Sequence, residues 1–213
     1  MPTSPESSTP EVGLELSALR AYAGEPGAIE GVTFWPRVAA RVIDLIVHSA
    51  LAFLTGIFFV VMVVIAAAGH PSPLLVARMR HTGIAVFVFS LLGSIVYELI
   101  CEGVHGSTLG KLVLGMAVVQ EDGTPCRISS ASIRSVAYLV DSLFFGLIGY
   151  MEMQGTPQMQ RHGDEWAHTV VCKRSAIQVR NLRSGGRFIV ALLFALMADS
   201  AFIIVGLLLN LTA

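Results

Sequence analysis

Four ionisable residues at the start of the first long apolar run, Arg37, Arg41, Asp44 and His48, are separated by four, three and four positions. At 3.6 residues per turn this spacing stacks them along one helix face. A carboxylate flanked by guanidinium groups can hold or exchange a proton or a small cation, the arginines favouring its charged form. An imidazole ordinarily titrates near neutrality, so His48 is suited to pass a proton on. The structural alternative is that the arginines neutralise Asp44 and fix helix packing while His48 donates to a carbonyl. Arg41 and Asp44 are close enough to pair directly, whereas Arg37 and Asp44 are two turns, about 10 Å, apart. Two further acids sit in apolar surroundings, Asp141 and Asp199. Asp141 either lines the same cavity or caps a turn. Asp199 lies about 18 Å along its helix from Arg187, a depth that suits a helix contact or a functional site.

The elements that must position these groups are set by composition. Of 213 residues 54% are hydrophobic and 14% charged, against roughly 25% charged in an ordinary soluble domain. The net charge of −1, without a basic block, argues against nucleic acid as a partner. Residues 45–69 contain His48 as their sole ionisable group and are long enough to cross a bilayer. Residues 82–101 and 188–213 have the same character, with Glu98 and Asp199 as their single charges. Three transmembrane helices are therefore expected, in an all-α membrane protein. In hydrocarbon each buried charge costs about 2.5–3.5 kcal/mol by insertion scales, so Asp44, His48, Asp141 and Asp199 need partners or tasks. Residues 1–33 read as a disordered acidic, proline- and serine-containing tail without a cleavable signal. Trp35 and Arg37 are expected at the membrane interface.

Residues 135–151 are too short for an unambiguous span and contain Asp141, Gly146 and Gly149. Lysine and arginine placement chooses between crossing and returning. The regions outside the three spans hold 3, 2, 3 and 6 of these residues. A returning hairpin puts twelve on one side and two on the other, the bias expected between cytoplasm and exterior. The expectation is thus a membrane-embedded helical hairpin bending near Gly146–Gly149, a cytoplasmic N-terminus, an external loop over 70–81 and an external C-terminus. Lys111–Val119 and His168–Cys172 read as β-prone runs that the hairpin brings together as a small cytoplasmic strand pair. Cys101, Cys126 and Cys172 are expected as free thiols.

Enzyme motifs are absent in detail. Gly106–Lys111, GSTLGK, has one residue too few between its glycines for a phosphate loop and a leucine where magnesium would need a hydroxyl. Glu165 and His168 have the spacing of half a di-iron site, without a second copy. No catalytic serine–histidine–aspartate arrangement stands out. No enzyme activity, cofactor or metal is expected.

Three stretches together resemble the RDD family of bacterial membrane proteins, over about residues 34–174. FWPRVAARVIDLIV is similar to its opening helix, placing the family's arginine on Arg37 and first aspartate on Asp44. GSTLGKLVLGMAVVQEDGTPCRISSASIRSVAYLVD resembles its glycine-lysine turn, strand, acidic-glycine turn and amphipathic helix ending at Asp141. QRHGDEWAHTVV resembles its closing motif, with the second aspartate on Asp164. His168 stands where the family usually has glycine, and His162 where it has leucine. Residues 175–186 form a basic linker, and the helix over 187–213 is an addition to the family pattern. The resemblance implies membrane transport, with cations exchanged for protons. The expected function is a small transporter or transporter subunit of the bacterial inner membrane, with Arg37, Asp44 and Asp164 as polar core. Its expected partners are lipid, protons and small cations, and a second copy or a membrane protein. The alternative is a non-transporting adaptor docking a partner through its cytoplasmic face.

Overall fold

The computed structural model describes residues 29–67, 69–70, 72–73, 76–77, 82–141, 143–177 and 183–212. The expected disordered tail lies almost wholly outside these residues, as do most of the expected external loop and residues 178–182 of the linker. Among the described residues three helices are long and apolar enough to cross a membrane: α1 (Phe34–Ala66), α2 (Thr82–Val104) and α7 (Gly185–Thr212). Between α2 and α7 the chain forms α3 (Leu109–Val113), β1 (Met116–Gln120), α4 (Ile128–Asp141), α5 (Leu143–Gly155), α6 (His162–Trp166) and β2 (Thr169–Lys173).

The first helix is inside out relative to a soluble protein. Its buried residues are Ala40, Asp44 and His48, while Leu45, Ile46, Phe53, Leu54, Phe58 and Ile65 are exposed. A helix that hides its polar stripe and displays its leucines suits an apolar solvent. Helix α1 starts at Phe34, eleven residues before the apolar run, so its polar first turns are continuous with the span. The second and third long helices pack on each other closely enough that small residues are required. A Cβ on Gly93 would lie 1.9 Å from Asp199 Oδ1, and one on Gly206 would lie 2.6 Å from the Phe89 ring. Small residues allow such close approach where no hydrophobic force draws helices together in lipid.

Strands β1 and β2 form an antiparallel pair, with Met116 opposite Lys173 and Gln120 opposite Thr169. Period-2 alternation gives the pair two buried faces. Met116, Val118 and Val171 pack with Val32, Ala40 and Ala131, while Ala117, Val119, Val170 and Cys172 pack with Ile177 and Ile29. Backbone bonds tie the sheet to the long helices. The Val32 N–H donates to the Val171 carbonyl at 2.7 Å just before α1, and the Val118 N–H to the Gly106 carbonyl at 2.7 Å just after α2. Arg183, just before α7, donates to the carbonyls of Gly103 and Cys126. The start of α1, the end of α2 and the start of α7 therefore lie at the sheet end.

Two sequence expectations change in detail. The expected strand over Lys111–Val119 begins as helix: Lys111 belongs to α3, capped by Thr108, and strand starts at Met116. The bent helix pair starts at Ile128, and its break runs from Asp141 to Gly146, at the leading edge of the expected Gly146–Gly149 bend. Helix α4 ends at Asp141, Gly146 has φ +83°, and the segments on either side differ in direction by 113°. Gly149 instead packs near the Asp141 carbonyl. Because Gln120 and Thr169 are paired, the bent segment leaves and returns to the same side of the molecule. Near the start of α1 Arg37 also turns inward to Asp164 while Trp35 stays exposed.

Candidate functional site

Asp44 is 2% exposed and is held by directed hydrogen bonds. The Gly110 N–H donates to Oδ1 at 2.8 Å, and Thr108 Oγ1 donates to Oδ2 at 2.7 Å. Tyr97 Oη accepts from the Leu109 N–H at 3.1 Å, which leaves its proton to point at Asp44 Oδ1, also at 3.1 Å. The glycine of the glycine-lysine turn is needed here because a Cβ on Gly110 would sit 2.0 Å from the Ala40 carbonyl oxygen. Only a bare backbone brings its amide to Asp44 at that approach. The expected Arg41–Asp44 pair is not formed. Arg41 instead pairs with Glu98 on α2, its guanidinium 4.3 Å over the Tyr138 ring, while Asp44 faces the α2–α3 junction.

A second set of charges runs through five elements. Lys111 of α3 pairs with Glu102 of α2, whose other oxygen accepts from Arg134 of α4 at 3.0 Å. Arg134 also pairs with Asp164 of α6 and donates to Thr169 at 2.9 Å. Asp164 accepts from Arg37 of α1 at 2.5 Å and has Arg161 Nε at 3.6 Å. Arg37 completes its fork on the carbonyls of Val32 and Met159. Asp164 is fully buried, and burial alone would raise its pKa. Arg134, Arg161 and Arg37 outweigh that, holding the carboxyl well below the usual carboxylate range.

These groups converge on a cleft of about 470 Å³ lined by Arg37, Arg41, Asp44, Glu98, Arg134, Asp141 and Arg161, with Phe34, Leu45 and Met153 among its apolar walls. A second cavity of about 390 Å³ continues along α1 and is lined by His48, Ser49, Ser90 and Ser94. Arg41 and Leu45 line both. Beside the second cavity His48 Nδ1 lies 2.6 Å from Asp199 Oδ2, and the imidazole stands edge-on to Tyr97 at 4.5 Å. Among the described residues, His48 Nε2 and Asp199 Oδ1 have no hydrogen-bond partner.

Of the seven sequence candidates, Arg37, Arg41, Asp44 and Asp141 line one cleft, Asp164 stands behind it, and His48 and Asp199 pair farther along α1. The expected contact role of Asp199 is met by His48, and Asp141 lines the cavity. Sequence reasoning missed Glu98, Glu102, Arg134 and Arg161. A signal existed for Arg134, a lone cation among serines and alanines on the polar face of an amphipathic helix. None existed for Glu102, whose partners Lys111 and Arg134 lie on two other elements.

Three membrane-length helices around a buried ion network define a multi-pass integral membrane protein. The RDD family model matches residues 32–168, and the chain belongs to the RDD family. No curated protein and no solved structure gives a match. The matched region contains Arg37, Asp44 and Asp164 and stops before β2 and α7, so Asp199 is supplied from beyond it.

Proposed function

We propose that this protein is a small transporter, or transporter subunit, of the bacterial inner membrane that exchanges small cations for protons. The observation that carries this reading is the pair of adjoining cavities. They share Arg41 and Leu45, and they join the acids Asp44, Glu98 and Asp141 to the His48–Asp199 pair inside a span. Ionisable groups at membrane depth that face cavities are the usual mark of an ion or proton path. The orientation follows the positive-inside bias: the sheet end faces the cytoplasm with the N-terminus, and α7 carries the C-terminus outward. Cysteines introduced at Asp122 and Arg174, near the two strands, should both be labelled from the cytoplasmic side; labelling from opposite sides would reject this topology.

The functional test uses sealed vesicles containing only this protein. An imposed proton gradient should drive cation flux, and Asp44→Asn should abolish it while the protein still folds. Unchanged flux in that variant would reject the assignment. Complete lack of flux in the wild type, with partner recovery sensitive to Asp44→Asn, would favour the adaptor reading.

A further inference from the structure

Three side chains outside the Lys111–Glu102–Arg134–Asp164 chain converge where α4 ends and α6 begins. One oxygen each of Asp141 and Glu152 and one ring nitrogen of His162 lie within 4.8 Å of one another. Asp141 is 3% exposed, lines the cleft, and has no hydrogen-bond partner on either carboxylate oxygen among the described residues. Its Oδ2 has Arg161 Nε at 3.5 Å. Glu152 is already oriented: its Oε2 accepts the His162 backbone N–H at 2.8 Å, which turns Oε1 to the same residue's Nδ1. Glu152 and His162 thus form a preset two-point grip facing an underused buried carboxylate.

We propose that Asp141, Glu152 and His162 bind a divalent first-row transition-metal ion. Metal–ligand bonds of about 2.0–2.2 Å place the ligands of one ion up to about 4 Å apart, so closing the set needs a side-chain shift of roughly an ångström. Two carboxylates with one imidazole suit manganese, iron, cobalt or zinc, whereas magnesium and calcium prefer oxygen alone. Three protein ligands leave positions for water. The charge opposing the ion is Arg161. Asp164 Oδ1 lies 3.6 Å from the same nitrogen and retains Arg161 when Asp141 turns to the metal. Occupancy therefore links this corner to the Arg37–Asp164–Arg134 network. The site does not rest on the transport reading.

A built-in reporter makes the test direct. The Trp166 ring lies 5.6 Å from that of His162, and Trp35 is the other tryptophan. Full-length protein in detergent micelles is titrated with cobalt(II) chloride while tryptophan fluorescence is followed. The expected result is saturable quenching at one equivalent, reversed by zinc and lost in Trp166→Phe. His162→Ala and Glu152→Gln should each raise the apparent Kd at least tenfold, while His168→Ala, at an exposed position, leaves it unchanged. Unchanged thermal unfolding of metal-free His162→Ala confirms that the fold is retained. Absence of saturable quenching in the wild type, or unaltered Kd in both ligand variants, would overturn the site. Binding is read without a membrane gradient, so it stands or falls separately from the vesicle flux.

Discussion

Replacing Asp164 by asparagine keeps the shape of the side chain and removes the anion shared by three guanidinium groups. Arg37 loses its 2.5 Å partner, Arg134 keeps Glu102 at 3.0 Å as its carboxylate, and Arg161 keeps Asp141 at 3.5 Å. Removing one member of a buried pair costs about 3–5 kcal/mol because the other charge is left without compensation. At about 2–4 °C per kcal/mol for a chain of this size, unfolding in micelles should fall by about 6–20 °C. The buried cysteines supply the assay, since Cys101, Cys126 and Cys172 react with a fluorogenic maleimide only as the protein opens. The effect has a pH signature. The Asp164 carboxyl is held below its unfolded value, so its stabilisation is complete above about pH 4 and is lost as pH falls further. The gap between wild type and variant should narrow by about 1 kcal/mol between pH 5 and pH 3. A loss under about 1 kcal/mol at neutral pH, or a gap that ignores pH over this range, would refute the charge argument.

Gly110→Ala should cost about 3 kcal/mol or more, because the new methyl meets the Ala40 carbonyl and pushes the Gly110 amide off Asp44; Gly155→Ala, with open space around it, is the matched control in the same melt. His168 has φ +51°, so His168→Gly should raise stability by about 1 kcal/mol, detectable as a higher unfolding midpoint. Burial pushes the thiols of Cys126 and Cys172 up to about 11, which leaves about one thiolate in a thousand at pH 8. Their alkylation in the folded protein should be at least 100-fold slower than that of a cysteine placed at exposed Asp122, and should quicken as pH rises.

The sequence displayed the long helices plainly, because a bilayer demands uninterrupted apolar length and permits few charges. The strand pair was also legible, since short β-branched runs at 116–120 and 169–173 favour strand and can be buried on both faces. Its beginning was not. Lys111–Val113 reads as strand by composition, yet Thr108 caps a helical turn there because Asp44 needs the amide of Gly110. The stripe on α1 revealed which residues turn inward and gave no information on their partners. Spacing on one helix suggested Arg41 with Asp44, whereas the partners of both come from α2 and α3, a placement decided by tertiary packing. Asp199 was visible as an expensive charge, and its match to His48 across 151 positions was beyond any local pattern. The bend in the helix pair was legible only to within a few residues because two glycines were equally suited to it, and only Gly146, at the edge of the break, takes a positive φ.

The inverted burial of α1 sets the order in which the molecule can assemble. This helix leaves the ribosome before α2, α3 and α7, carrying Asp44 and His48 ahead of the groups that answer them. Tyr97, Thr108 and Gly110 arrive tens of residues later to satisfy Asp44, while His48 waits for Asp199, 151 positions further on. Until α7 is in place, the imidazole of His48 lacks the carboxylate that offsets its cost at membrane depth. A chain stopped before Asp199 would leave that histidine without its carboxylate.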